Sequence, residues 1–377
     1  MVFLKNKNRN RSFILFGLNE QEFSNEGIRL LFIFYIGAIF LSALISPFVY
    51  HGVLIIYSFF PPIDSDLAGF QGWFAKVFSY LSGKSYADYF DRIRWLPIIL
   101  FFPWLLTKCK LLSYDSLFHN LKNPLKRNRL KCLFQYFQIL SLEVFRMLLV
   151  LGLDLRNKKS KLIFFKGWVI GVLLVGILFI GQITSFSIIE RNEITFIRII
   201  EVISLSFISG ALIGFLEEIV FRGLVFRIFY TMFSPFYAIF LAAIFFSYCH
   251  FKFPDFLWDE SQPVSIVSGF YVGLWTLLGI FKNFEWILFL NLGLLSLLLN
   301  YFVLKENSII RSIGLHAGLV FGMLFFKRLW ILQDHGQSWF WGSGKITDGL
   351  ACGILLVVLN LYFYCFVAYK KQNEVRI

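Results

Sequence analysis

The sequence predicts an all-α membrane protein, a polytopic bundle with about eight to ten helices that cross the bilayer. Hydrophobic side chains make up 58% of its 377 residues, and aromatic side chains alone make up 20%. The mean hydropathy of +0.70 is far above that of soluble globular domains. Charged residues are only 16% of the chain and lie mainly between long apolar runs. These observations together exclude a soluble enzyme.

The net charge of +13 comes from basic segments that separate the apolar runs. In a polytopic protein such segments mark cytoplasmic loops, so the charge gives no reason to expect a nucleic-acid partner. The expected partners are membrane lipids and a membrane-bound substrate. The N-terminal residues show no short apolar stretch that ends in small residues, so we expect no cleaved signal peptide. The basic segments are Lys5 to Arg11, Lys108 to Lys131, Arg156 to Lys161 and Lys370 to Arg376.

Residues 1–160 are predicted to form an N-terminal membrane region with one or two spans. Leu30 to Tyr50 is long enough to cross a hydrocarbon core of about 30 Å. We expect His51 to Arg94 to be a polar and aromatic loop on the outer face. Trp95 to Leu106 forms a span only if flanking residues extend it. Cys132 to Asp154 carries charges within apolar surroundings, which is typical of an amphipathic interfacial helix; a packed transmembrane helix is the alternative.

Residues 161–330 are predicted to hold the functional core, and residues 331–377 a loop and a C-terminal span. Ser234 followed by Pro235 is typical of the start of a helix. The orientation of the C-terminus stays open, because it depends on whether Cys132 to Asp154 crosses the bilayer. The predicted spans are Leu162 to Phe186, a helix from Ile194 onward, Pro235 to His250, Val264 to Phe281, Trp286 to Leu304, Ile309 to Phe326 and Leu350 to Tyr369.

One short segment, Glu217 to Arg222, interrupts a long uncharged run of this core. A charge inside a bilayer costs at least a few kcal/mol and usually faces a protein interior or a water-filled cavity. Glu218 and Arg222 are four residues apart, so they share a helix face and can form an ion pair. Glu217 is rotated by about 100° and is therefore the carboxylate available for chemistry. The alternatives are a network that only fixes helix packing and a loop in water.

Two histidines, His250 and His316, also lie in apolar surroundings. At a helical rise of about 1.5 Å per residue, His250 and Glu217 lie at similar depth if one long helix runs past Arg222 to Phe229. A carboxylate that takes a proton from water, assisted by an imidazole, could hydrolyse an amide. The same two imidazoles and carboxylate could form a three-ligand zinc site. The spacing leaves both open, although the zinc protease motif HExxH is absent and the five cysteines have no metal-ligand spacing.

In order and spacing these residues resemble the CPBP family of intramembrane proteases. Glu217 to Arg222 matches the motif EExxxR, Phe246 to His250 matches FxxxH, and His316 matches the first position of a third motif, HxxxN. The resemblance covers roughly residues 202–326. The family includes the CAAX prenyl endopeptidases and relatives linked to bacteriocin self-immunity. The resemblance implies an intramembrane endopeptidase that hydrolyses a peptide bond of a membrane-bound or lipidated protein.

The resemblance also implies roles for the matched residues. Glu217 falls on the water-activating base and Glu218 on the glutamate beside it. His250 and His316 fall on the two histidines of the family, and Arg222 falls on its arginine. Members were first described as metalloproteases and later as glutamate-based enzymes. No cofactor is required on the glutamate mechanism, and a divalent metal such as zinc is the alternative.

The chain departs from the family pattern at Val320, where an asparagine is expected to donate to the oxyanion. Valine cannot donate a hydrogen bond, and loss of one oxyanion donor can cost about two to three orders of magnitude in rate. A backbone N–H near Gly318 or the hydroxyl of Tyr248 could replace it.

A function of another class, a non-catalytic scaffold or immunity-type protein on the same fold, therefore stays open. A proton-coupled transporter is a third interpretation, since buried Glu, His and Arg also serve proton relays, although no inverted repeat is evident. We expect the protein in a bacterial cytoplasmic membrane. The remaining polar residues are expected to be loop or packing residues: His51, His119, His335, Asp334 and Asn291.

Overall fold

The computed structural model describes residues 26–59, 69–108, 153, 158–185, 187–190, 193–251, 259, 261–282, 284–333, 338–342 and 347–374. Its elements are α1 (Glu26–Ser58), α2 (Gly69–Ser82), α3 (Tyr86–Ile93), α4 (Trp95–Lys108), α5 (Lys158–Ser185), β1 (Ser187–Glu190), α6 (Phe196–Val220), a π-helical turn (Phe221–Val225), α7 (Phe226–Met232), α8 (Pro235–His250), α9 (Ile266–Leu278), a 3₁₀ turn (Gly279–Phe281), α10 (Trp286–Glu306), α11 (Ile310–Leu329), β2 (Trp330–Gln333), α12 (Ser338–Trp341) and α13 (Leu350–Glu374).

The helices confirm the predicted all-α membrane fold. Five of the described helical segments are long and apolar enough to cross a bilayer, and three shorter apolar helices accompany them. The chain is therefore an integral membrane protein. The shorter helices are Pro235–His250, Ile266–Phe281 and Leu350–Tyr364. The five longer segments are Gly27–Ser58, Lys158–Ser185, Phe196–Tyr230, Trp286–Glu306 and Ile310–Leu329.

The described chain divides into two compact units. The first unit holds α1 to α4, α9 and the 3₁₀ turn, and the second unit holds the remaining helices and the strands. One boundary falls between Tyr248 and Cys249, within α8, so the last two residues of that helix count with the first unit.

In the first unit, α1 and α9 approach each other closely. A Cβ at Gly269 of α9 would collide with the carbonyl oxygen of Ala43 of α1. Tyr86 of α3 joins this contact, with its hydroxyl 2.7 Å from Oγ of Ser46. Burial raises the pKa of Tyr86 to about 12, so the hydroxyl is neutral at physiological pH. The buried core consists of Ile39, Ala43, Tyr86, Ala87, Phe90 and Val272.

The loop predicted for His51 to Arg94 is wrong for much of its length. α1 continues to Ser58, and α2 and α3 follow within the same range. α3 begins after Ser85, whose side-chain oxygen accepts a hydrogen bond from the backbone N–H of Asp88. The buried residues of α3 lie at helical spacing, but polar residues between them hide this pattern in the sequence. The segment Cys132 to Asp154 lies almost wholly outside the described residues.

In the second unit, α11 packs directly against α5 over small residues. Three glycines of α11 face three positions of α5 in the same order along the chain, so the two helices run parallel. A Cβ at Gly314 or Gly318 would collide with a backbone carbonyl oxygen of α5. Such a seam of small residues lets helix backbones approach closely within a membrane. The facing pairs are Gly314 with Phe164, Gly318 with Trp168, and Gly322 with Val175.

The same helix α11 also contacts α6, in the opposite direction. Gly214 of α6 faces Ala317, while Gly210, one turn earlier on α6, reaches Phe321, one turn later on α11. A Cβ at Gly214 would lie only 2.7 Å from the backbone nitrogen of Ala317. The two helices are therefore held in antiparallel contact, and this contact sets the distance between the side chains of α6 and those of α11.

A short ribbon, absent from the sequence prediction, connects the ends of α5 and α11. β1 pairs antiparallel with β2, so that Ser187 faces Gln333 and Glu190 faces Trp330. Isoleucines in both strands have high strand propensity. The ribbon follows α5 and α11 at the same end, as their parallel arrangement requires.

Candidate active site

The helix that carries Glu217 continues past Arg222 without a break. α6 ends at Val220, the π-helical turn Phe221–Val225 follows at once, and α7 continues to Met232. The single long helix that the depth argument requires is therefore present. π turns are rare and occur frequently at functional sites.

The predicted ion pair between Glu218 and Arg222 is present and fully buried. Nη1 of Arg222 donates to Oε1 of Glu218 at 2.8 Å, and both side chains are 0% exposed. Nη2 of Arg222 donates to Oγ of Ser296 on α10 at 3.0 Å. The guanidinium carbon also lies 4.3 Å from the ring centre of Phe246 on α8, a cation–π distance. Arg222 therefore connects α6 to two other helices.

His316 lies between the two glutamates. Its Nδ1 is 2.9 Å from Oε1 of Glu218, and its Nε2 is 3.7 Å from Oε2 of Glu217. The first distance is a hydrogen bond, whereas the second is too long for a direct one. Glu217 is the more accessible carboxylate, since its side chain is 14% exposed and that of Glu218 is 0% exposed.

The hydrogen bonds of Glu218 determine which nitrogen of His316 carries a hydrogen. Glu218 is paired with a guanidinium and is therefore an ionised acceptor. Nδ1 of His316 must then donate to Oε1 of Glu218. The opposite nitrogen, Nε2, is left directed toward Glu217, where a water in contact with both groups could exchange a proton with either.

His316 lies close to the N-terminal end of α11. It is six residues after Ile310, which corresponds to about 9 Å along the helix. The glycine contacts of α11 with α5 and α6 fix the backbone on both sides of this residue. The distances to Glu217 and Glu218 are thus set by backbone contacts between helices.

His250 is the last residue of α8 and is half-buried. It lies one helical turn after Phe246, whose ring centre is 6.2 Å from that of His316. The structure thus brings together Glu217, Glu218, Arg222 and His316 in the second unit, while His250 counts with the first. Its role in a shared site stays a prediction.

Val320 is buried on α11, one turn after His316. It offers no hydrogen-bond donor there. The substitute donor suggested near Gly318 is not available either, because Gly318 lies inside α11, where each backbone N–H donates to the carbonyl four residues earlier. The hydroxyl of Tyr248, a half-buried residue of α8, stays the other candidate.

The metal site suggested for Glu217, His250 and His316 stays a prediction, because His250 counts with the first unit and the other two residues with the second. In the part of the chain that the structure describes, no three His, Cys, Asp or Glu side chains are grouped so that they could hold a metal ion. Oε1 of Glu218, the oxygen nearest to His316, already accepts hydrogen bonds from Arg222 and from His316.

Ser296 is the site residue that sequence analysis missed. It is 1% exposed and accepts the second hydrogen bond of Arg222. The available signal is weak: Ser296 is the one hydroxyl residue between Asn291 and Asn300, within a run of leucines. A lone serine of this kind usually bonds to its own helix, so nothing local indicates Arg222 as its partner.

Two of the other polar residues form hydrogen bonds with backbone carbonyl groups. Nδ2 of Asn291 donates to the carbonyl oxygens of Thr347 and Gly349, both at 2.8 Å. Nε2 of His51 lies 2.8 Å from the carbonyl oxygen of Val264. The remaining three, His119, Asp334 and His335, lie outside the described residues.

Comparison with known proteins agrees with the position of this cluster. Residues 199–322 match the family model described as Rce1-like, type II CAAX prenyl endopeptidase. This range includes every candidate catalytic residue and nearly coincides with the range of the sequence motifs, so the resemblance is confirmed. No curated protein and no solved structure matches the chain.

Proposed function

We propose that this chain, whose residues 199–322 match the Rce1-like family model, hydrolyses a peptide bond of a membrane-associated protein with Glu217 as the general base. The observation that carries the proposal is the arrangement around His316. One of its nitrogens is held by the buried Glu218, and the other is directed at the accessible Glu217. The two adjacent carboxylates thereby have different roles: Glu218 holds the imidazole, and Glu217 exchanges protons.

On this mechanism Glu217 takes one proton from a water molecule, and the water oxygen attacks the carbonyl carbon of the scissile bond. The resulting tetrahedral intermediate collapses as the C–N bond breaks. The proton passes from Glu217 to the leaving nitrogen, so the products are a carboxylic acid and an amine. Nε2 of His316 orients the water and Glu217, and His250 assists at the substrate. No metal is required for these steps.

The basic residues around the site indicate its side of the membrane. α5 and α11 run parallel, so the N-terminal lysines of α5 lie at the same end of the bundle as the start of α11. The start of α11 is about 9 Å along the helix from His316. Lys305, at the C-terminal end of α10, precedes α11 by a short turn. Lysines concentrate at cytoplasmic ends of spans, and those at this end outnumber Lys327 and Arg328, the basic residues in the last turn of α11. The proposed substrate is therefore cleaved near the cytoplasmic surface. The lysines of α5 are Lys158, Lys159, Lys161 and Lys166.

The substrate we propose is a membrane-bound protein, lipidated or with its own span, because the site lies within a bundle of apolar helices. The membrane we propose is a bacterial cytoplasmic membrane. A lipid chain beside the cleaved bond would keep the substrate at the level of the site.

The test is a comparison of membrane-protein termini in cells that carry the wild-type chain and cells that carry Glu217→Gln. We expect some termini to vanish in the variant and to return on complementation. Glu201→Gln is the matched control, since Glu201 is an exposed glutamate near the other end of the same helix. Identical profiles for wild type and Glu217→Gln would overturn the proposal. Cleavage that survives chelation and does not increase with added zinc would support the metal-free mechanism.

A non-catalytic scaffold is the second candidate, and Val320 is the observation that favours it. If the chain is a weak protease for lack of an oxyanion donor, Val320→Asn should raise the cleavage rate by about tenfold or more. If it is a scaffold, a deletion strain should differ from wild type while Glu217→Gln does not.

A further inference from the structure

We propose that Ser296 is a positioning residue for this site, acting through Arg222 and Glu218 on the imidazole of His316; the inference rests on the proposed function. Ser296 belongs to α10, which carries none of the sequence motifs. It is 1% exposed, and its Oγ accepts from Nη2 of Arg222 at 3.0 Å.

The contacts form one continuous chain of hydrogen bonds. Ser296 accepts from Nη2 of Arg222, whose Nη1 donates to Oε1 of Glu218. The same oxygen of Glu218 is 2.9 Å from Nδ1 of His316. Nε2, on the opposite side of that imidazole, is directed at Glu217. A change at Ser296 therefore reaches Glu217 only through these partners.

Two anchors are needed to fix a guanidinium group in a plane. Arginine is a planar fork on a flexible stem. With both Nη atoms bonded, and with Phe246 4.3 Å from the guanidinium carbon, the fork has one orientation. Without Ser296 it can pivot about its single bond to Glu218. Oε1 of Glu218 moves with it, and the hydrogen bond that keeps the hydrogen on Nδ1 of His316 weakens.

An isosteric pair of variants separates this role from simple packing. Ser296→Thr keeps a hydroxyl at the γ position, whereas Ser296→Val has the same shape without one. Ser312→Ala is the control for a lost buried hydrogen bond, because Ser312 is 0% exposed and its Oγ donates to the carbonyl oxygen of Leu299 on the same helix α10. Ser312 has no part in the chain that leads to His316.

The first measurement needs no substrate. Nitrogen NMR of the full chain in detergent, labelled in its five histidines, reports which ring nitrogen carries a hydrogen, and His316→Gln identifies the signal of His316. We expect the Nδ1–H form in wild type, Ser296→Thr and Ser312→Ala, and a mixture of forms in Ser296→Val. An unchanged His316 signal in Ser296→Val would overturn the proposal, whether or not the chain is a protease.

The second measurement uses a substrate whose terminus disappears in Glu217→Gln cells. We expect Ser296→Val to lower kcat by about tenfold or more with little change in KM, because a misplaced catalytic group costs rate more than binding. Ser296→Thr and Ser312→Ala should stay near wild type. Equal kcat for the Thr and Val variants would overturn the proposal. Loss of cleavage in Ser296→Val with an unchanged NMR signal of His316 would also overturn it. Unchanged cleavage in Glu217→Gln would instead overturn the proposed function.

Discussion

The two ends of the long helix α6 carry the same kind of ion pair in opposite surroundings. Near its start, Nη1 of Arg198 lies 2.9 Å from Oε2 of Glu201, with side chains 32% and 51% exposed. At its end, Nη1 of Arg222 lies 2.8 Å from Oε1 of Glu218, with both side chains 0% exposed. The two distances are nearly identical. Water or lipid headgroups can solvate the charges of the exposed pair if it breaks, whereas the charges of the buried pair have no other partner of that kind. Distance alone does not indicate what an ion pair contributes.

The largest expected difference between the two pairs appears when one partner is removed. Arg222→Met leaves the carboxylate of Glu218 buried without its cation, and we expect a loss of about 3–5 kcal/mol in the free energy of unfolding. The measurement is unfolding by denaturant in detergent micelles. Arg198→Met is the control and should change the free energy by less than about 1 kcal/mol. Equal unfolding midpoints for the two variants would show that burial makes no difference here.

A smaller effect is expected when the surroundings of the buried pair are loosened without a change of charge. Gly318→Ala adds a methyl group that collides with the backbone of α5, and we expect it to cost about 1–3 kcal/mol. It should also lower activity, because His316 lies on the displaced helix. Gly176→Ala on α5 is the control, since a Cβ there meets no atom within 4 Å. An equal loss of unfolding free energy in Gly176→Ala and Gly318→Ala would contradict the close packing of α11 against α5 at Gly318.

Removal of both buried charges should cost less than removal of one. Glu218→Gln combined with Arg222→Met leaves no unpaired charge, while the amide oxygen can still accept from His316. We expect the double variant to recover about 1–2 kcal/mol of the stability lost in Arg222→Met. Thermal unfolding of four proteins, wild type, Glu218→Gln, Arg222→Met and the double variant, measures this coupling. If the losses of unfolding free energy in the two single variants simply add up in the double variant, the two charges do not stabilise each other.

The smallest effect is expected at the exposed pair. Arg198→Ala should change the unfolding free energy by about 0.5 kcal/mol or less. High salt should remove the difference from wild type, since exposed charges are screened. A difference that persists in about 1 M salt would indicate that Arg198 has a further partner.

The contacts that could be predicted from the sequence are those between residues of the same helix. Residues three or four apart in an α-helix must be neighbours, so the pairing of Glu218 with Arg222 followed from spacing alone. Long apolar runs likewise predicted the spans. The range that matches the Rce1-like model was predictable because the motifs EExxxR and FxxxH and the residue His316 lie within it in this order.

The parts that sequence did not reveal depend on contacts between helices. His316 meets both glutamates because glycines set α11 against α6, and no local pattern states which faces meet. Ser296 was missed for the same reason. Sequence analysis predicts a loop at α3 because aspartates among its aromatic residues conceal the helical periodicity. The substitute donor near Gly318 failed once the helix around it was known to be regular.

The π turn has a consequence for the direction in which two cations point. In an α-helix, residues five apart are rotated by about 140° relative to each other. Here the backbone N–H of Phe226 donates to the carbonyl oxygen of Phe221, five residues back, which widens the turn. Arg222 and Arg227 are five apart, and both are buried, at 0% and 5% exposed. A regular α-helix through the same residues would direct the two arginines to different faces, so the widened turn is what lets one membrane helix bury both of them.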